Sequence, residues 1–219
     1  MRTLRMILAC AALAAGAAWA QEGNLRAGAA RVDITPVEPG LPMAGYGGRT
    51  GGHQGVHDPI YVRAVVISDG ERRAAIVSTE AIGIPEDSWS ELSERLAREH
   101  GIPREYILLA ATHTHGAPTT RANVKPEFAA PWKAWRARWH DGVSQAVRQA
   151  AGAMQPARMG AATGRAYVNT NRRARLAHGG WGLGVNPEGV SDKTVTVVRF
   201  DTAAGEPLAI LIHYPVHGV

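Results

Sequence analysis

Cysteine is almost missing from this 219-residue chain; Cys10 is the one example. It lies in MILACAALAAGAAW, a small apolar run preceded by Arg2 and Arg5 and closed by Ala18-Trp19-Ala20, the small-x-small pattern of a leader-peptidase site. Residues 1–20 are therefore expected to be a secretory signal peptide, and the mature protein to be secreted or periplasmic. The run is short for a retained membrane span. Beyond it no cysteine remains, which excludes disulfides and thiolate metal ligands from residues 21–219.

Other absences narrow the chemistry. There is no His-Glu-x-x-His, no helix-loop-helix calcium loop and no Gly-x-Ser-x-Gly nucleophile elbow. The glycine-rich GYGGRTGG lacks the Lys-Ser/Thr that completes a phosphate-binding loop. Basic and aromatic residues are not interleaved, so nucleic acid is not expected as a partner. The formal charge is +5, or +3 without Arg2 and Arg5, which leaves only a weak attraction to an anionic surface, as in peripheral membrane contact. What is present is an apolar content of 45%, enough for one sizeable core. The 25 glycines and 13 prolines predict many turns.

The order of elements follows from patterning. LRAGAARVDITP predicts a short strand, and residues 40–59 a long loop holding seven glycines. Long ordered loops often carry function. IYVRAVVIS, Asp69-Gly70 and ERRAAIVST predict a hairpin. Asp87 or Ser88 is expected to cap a helix through SWSELSERLAREH, which ends at Gly101. YILLAAT predicts a strand covered on both faces. From Pro131 to about Ala151 a helix sets Trp132, Trp135, Trp139, Val143 and Val147 on one apolar face, a core surface. TVTVVRF and LAILIHYPVHGV predict a second hairpin about DTAAGEP. Strands and helices in this order imply an α/β or α+β fold, a mixed β-sheet with flanking helices and an incomplete carboxyl-terminal part.

Candidate chemistry gathers at strand ends. ILLAATHTHGAPTT delivers His113 and His115 to the carboxyl end of a strand, where residues two apart on extended backbone share a face. Ligands collect at such ends. Neutral imidazole suits zinc, and a second imidazole can move protons or bind the metal as well. LAILIHYPVHGV repeats the arrangement with His213, Tyr214 and His217, and His53 and His57 are further donors. A zinc site needs three or four protein donors; spacing does not choose among Asp33, Asp58, Glu80 and Asp192. Arg172 could clamp a substrate oxygen.

AARVDITPVEPGLPMAGYG, VHDPIYVRAVVI, LLAATHTHGAP, the NTNR element, NPEGVSDKTVTVVRF and HYPVHG occur in that order. The series resembles the amino-terminal catalytic domain of the neutral/alkaline non-lysosomal ceramidases. The resemblance implies one Zn2+ ion and hydrolysis of a lipid-like N-acyl substrate, ceramide, to a sphingoid base and a fatty acid. His113 resembles the first zinc ligand, His217 the second histidine ligand, and His115 the histidine that hydrogen-bonds near the reacting group. Arg172 resembles the arginine of the pocket; Tyr167 lies near it without an assigned role. Residues 21–219 would be a partial domain, with a Glu and a Tyr ligand and an immunoglobulin-like domain expected beyond Val219. An incomplete metal shell would leave this stretch inactive by itself.

Three places depart from the family pattern. Gly116-Ala117-Pro118 stands for Ser-Gly-Pro, Arg173-Ala174 for Ser-Pro, and His213-Tyr214-Pro215 for Trp-Phe-Ala. They leave open a zinc hydrolase acting on another amide or ester, and a secreted binding domain without catalysis.

Overall fold

The computed structural model describes residues 23–37 and 39–217; the expected signal peptide lies outside them. Three antiparallel strands arise from the first β-branched runs: β1 (Arg26–Asp33), β2 (Tyr61–Ser68) and β3 (Arg73–Thr79). The Asp69-Gly70 turn forms as expected. Gly70 takes φ 99°, and the Asp69 carboxylate accepts from the amides of Glu71 and Arg72. The helix α1 (Glu86–His100) then crosses over to β4 (Ile107–Ala111), which lies parallel to β3.

On the other side, β1 meets β5 (Gln155–Arg165) through only two residue pairs. β8 (Thr194–Thr202) and β9 (Pro207–His213) complete the order β4-β3-β2-β1-β5-β8-β9. β6 (Asn171–Arg175) and β7 (Trp181–Asn186) form a separate hairpin. A mixed sheet flanked by helices is thus the architecture, in line with the element order.

One core lies under α2 (Ala129–Gly152). Val62, Ala64 and Val66 of β2 face it, with Leu92 and Leu96 of α1 and the predicted Trp132, Trp135, Trp139, Val143 and Val147 stripe. Each indole N–H has an acceptor: Trp132 donates to Thr119 O, Trp135 to Ile34 O and Trp139 to Thr79 Oγ1 (2.8, 3.0 and 2.9 Å), which removes the penalty of burying them. Residues of opposite parity, Ala27 and Val65, face a second core around Phe200. Burying both faces of β1 and β2 requires β5, β8 and β9 to turn back across the sheet, and β1 contacts β9 although two strands separate them in the order.

Several expectations need correction. β4 is covered on one face only, its burial alternating, with Leu108 58% exposed; β9 likewise leaves Ile210 and Ile212 in solvent. Neither Asp87 nor Ser88 caps α1. The helix starts at Glu86, with Pro85 at the cap position two residues before Asp87; the Pro85 carbonyl accepts from Trp89 N, while Asp87 and Ser88 receive Arg136 of α2. β5, β6 and β7 carry no apolar alternation strong enough to predict them.

Candidate metal centre

The chain leaves β4 at Ala111 and turns sharply. His113 has φ 60°, the one positive φ outside glycine among the described residues, in a region that costs a non-glycine residue free energy. His113 and His115 therefore do not converge by sharing a face of an extended strand. They converge across a kink, with ring centroids 5.3 Å apart. His217 arrives from the turn after β9 and stands 4.8 Å from the His113 ring and 4.9 Å from the His115 ring, nearly perpendicular to both. One ligand nitrogen from each of the three lies within 4.8 Å of the others.

The tautomer of His113 follows from its partner. Nδ1 lies 2.7 Å from Ile82 O, and a carbonyl only accepts, so Nδ1 carries the proton and Nε2 keeps its lone pair. This carbonyl–imidazole pairing is the usual way a metal-binding histidine is oriented. His115 is placed differently: its Nδ1 is buried without a hydrogen-bond partner. Desolvation first, then the neighbouring His217, His113 and Arg49, hold His115 below the ordinary imidazole value, which favours the neutral form a metal requires.

The His217 segment is anchored by Asn169, whose amide donates to Pro215 O (2.8 Å) and Asp192 O (2.6 Å). Tyr214 adds a second tie, accepting from Asn169 N and donating to Ala166 O. The tyrosine in the departing His-Tyr-Pro sequence is thus a brace for the turn that presents His217.

The remaining candidates sit elsewhere. His53 Nδ1 accepts from Leu41 N within its own loop, and His57 pairs with Asp58 at 2.8 Å in solvent. Asp33 accepts from Thr35 N, Glu80 from Tyr61 N and Arg63, and Asp192 from Thr194 N. All four candidate carboxylates are therefore committed outside the three-histidine group. His213 ends β9, and the structure does not bring it into that group. Arg172 lies on β6 with its Nε donating to Gly184 O (2.7 Å); no hydrogen bond joins it to the histidines among the described residues.

Sequence reasoning missed Gly45, Tyr46 and Arg49. Tyr46 sets its ring edge on His115 at 5.0 Å, and Arg49 donates to His115 O at 2.6 Å. A tyrosine and an arginine among seven glycines were the available signal. A cavity of about 490 Å³ lies beside the same segment, lined by Met43, Val56, Ile60, Thr112, Thr114 and Gly116 among others; its walls include the residues that alternate with the histidines, and not the histidines themselves.

The three imidazoles fit a zinc ion chemically. Two nitrogens bound at about 2.0–2.1 Å can stand at most roughly 4.2 Å apart, so separations within 4.8 Å close with a movement of under about 1 Å at a ring. Residues 25–219 match the family model described as neutral/alkaline non-lysosomal ceramidase, N-terminal. The chain belongs to that ceramidase family. It is 27% identical over 213 residues to neutral ceramidase A of Dictyostelium discoideum, covering 90% of this chain and 29% of that protein. With the neutral ceramidase of Pseudomonas aeruginosa it shares 26% identity over 226 residues, covering 97% and 33%. A solved structure of a ceramidase complexed with C2 superposes with a TM-score of 0.70 at 25% identity, over 89% of this chain and 31% of that one. The chain thus spans about a third or less of the length of these relatives.

Proposed function

We propose that this chain carries the histidine part of a zinc-dependent amidohydrolase that cleaves the N-acyl bond of ceramide to a sphingoid base and a fatty acid. The observation that carries the reading is the meeting of His113, His115 and His217, from two separate strand ends, in a chain of the ceramidase family. Names of the matched relatives support the substrate class. Residues 1–20 would export the protein, so that it meets its lipid-like substrate in the periplasm or outside the cell.

In this reading His113 and His217 hold the metal. Bound there, zinc supplies Lewis-acid polarisation of a carbonyl oxygen and a lowered pKa for water. His115, kept neutral by its surroundings, accepts the proton of the attacking water and passes it to the leaving amine. Arg172 offers its Nη groups to a substrate oxygen, since among the described residues its hydrogen bond runs from Nε to Gly184 O. The bond broken is the amide C–N; the new C–O bond comes from water, and the amine leaves with the proton from His115.

A second reading, hydrolysis of a different amide or ester by the same centre, is favoured by the segment after His115. Ala117 and Pro118 are buried, and Ala117 O accepts from Ala44 N, so the departure from Ser-Gly-Pro falls in a packed wall beside the histidines. The full-length protein should release fatty acid from N-acylsphingosine, lose that activity to a chelator and regain it with zinc. Faster turnover of another N-acyl amine or an ester would select the second reading. Zinc binding without turnover of any of them would leave only a binding domain.

A further inference from the structure

His113 owes its orientation to a hydrogen bond, but His115 has none at its buried Nδ1. Something else must hold that ring. Its neighbours are the rings of His113 and His217 on one side and the glycine-rich loop on the other. Gly45, at φ 100°, lies so close that a Cβ there would overlap Cγ of the His115 ring. The next residue, Tyr46, sets its edge against the same imidazole at an interplanar angle of 81°.

Main-chain bonds tie the loop at Pro42 and Ala44 to Thr119 and Ala117, but glycine leaves the backbone free from Gly45 onward. Past Gly45 the tie is Arg49. Its Nη1 donates to Ala44 O (3.0 Å), just before Gly45, and to His115 O (2.6 Å). Its guanidinium lies over the Tyr46 ring, 4.6 Å from the centroid. Arg49 forms no ion pair among the described residues, so its charge is spent on two carbonyls and a π face. One side chain therefore joins the loop to the main chain of the histidine it packs against.

We propose that Arg49 is a positioning residue: by clasping Gly45-Tyr46 onto His115, it holds that imidazole facing His113 and His217. Nη1 alone reaches both carbonyls while the guanidinium carbon stands over the Tyr46 ring, a combination that a lysine ammonium reproduces only in part. The catalytic consequence rests on the proton-transfer role given to His115 above; the clasp itself does not.

The test compares wild type, Arg49→Ala, Arg49→Lys and Gly45→Ala in the full-length protein. One readout is the histidine ring carbon–proton NMR spectrum, with His100 and His140, which sit between α1 and α2, as internal controls. The other is kcat and KM for N-acylsphingosine. Arg49→Ala should shift and broaden the His115 signal while the two controls stay in place. It should lower kcat by roughly tenfold to a hundredfold, the scale of a misplaced catalytic group, with KM within about twofold. Gly45→Ala should do the same from the opposite side, and Arg49→Lys should restore only part of the rate.

A His115 signal that moves in the variants, in a protein whose wild type hydrolyses nothing, would sink the proposed function and leave the clasp standing. An unmoved His115 signal in both Arg49→Ala and Gly45→Ala would overturn the clasp, whatever the rates. A loss that appears in KM alone would overturn it too, because Arg49 would then be binding substrate.

Discussion

His113 and His217 follow β4 and β9, the two outermost strands of the seven-stranded sheet, yet their rings stand 4.8 Å apart at 86°. In a flat sheet of strands spaced about 4.8 Å apart these ends would be far from contact. The two-pair hinge between β1 and β5, and the second core around Phe200, turn the far strands back so that the edges meet. The three-histidine cluster is therefore a product of sheet curvature as much as of the His-Thr-His sequence.

That dependence predicts remote effects on the site. Asn169 ties Pro215 and Asp192 together and so fixes the turn that carries His217. Asn169→Ala should weaken zinc affinity by about tenfold to a hundredfold, as for loss of a group that orients a ligand. Competition with a chelating dye would show it. The melting temperature should change less than for a core substitution, because Asn169 is half-buried and lies outside both hydrophobic cores.

The Trp face gives a stability prediction. Trp139 is fully buried, stacks on Trp135 with centroids 6.0 Å apart, and donates to Thr79 Oγ1. Trp139→Ala should cost about 3–5 kcal/mol through the cavity left behind. Trp139→Phe should cost about 1–3 kcal/mol, chiefly by leaving buried Thr79 without its donor. Urea titration distinguishes the two, with the phenylalanine variant expected to be the more stable.

Backbone approach gives another. A Cβ at Gly28 would overlap Ala150 O where the end of α2 crosses β1. Gly28→Ala should destabilise by about 1–3 kcal/mol or more, whereas Gly47→Ala, with open space around it, should be close to neutral. Equal midpoints for the two variants would contradict this packing.

Stability should also fall on mild acidification. His140 lies under 3% exposed, and burial holds it below its ordinary value of 6.5 against the opposing pull of its Glu91 hydrogen bond. Burial lowers His100 likewise. A depressed histidine binds its proton more readily in the unfolded chain. Its contribution is thus complete above about pH 6.5 and declines as pH drops from there toward the folded-state values. Melting temperature should decrease over that window, and His140→Gln, which keeps a donor for Glu91, should flatten the curve.

Much of this was legible in the sequence, and for identifiable reasons. The 60–79 hairpin has β-branched flanks and Asp-Gly; the tryptophans recur at helical spacing; both histidine groups end apolar strands. β5 was invisible because PARMGAATGR is small and polar, and it is held by pairing along β8 rather than by apolar alternation. The meeting of His115 with His113 was foreseen for the wrong reason, since the αL residue that joins them has no local signature. Composition singles out Arg49 within the glycine-rich loop but not its role: its partners, Ala44 O and His115 O, are main-chain atoms that only the folded loop brings together.

The central claim is that His113 and His217, from distant strand ends, hold one ion with His115 beside them. Elemental analysis of the full-length protein after exhaustive dialysis, wild type beside His113→Ala and His217→Ala, tests it most directly. The account predicts close to one zinc per wild-type chain and almost none in either variant, with folding preserved. Wild-type protein free of zinc after loading, or a full complement retained by both variants, would contradict it.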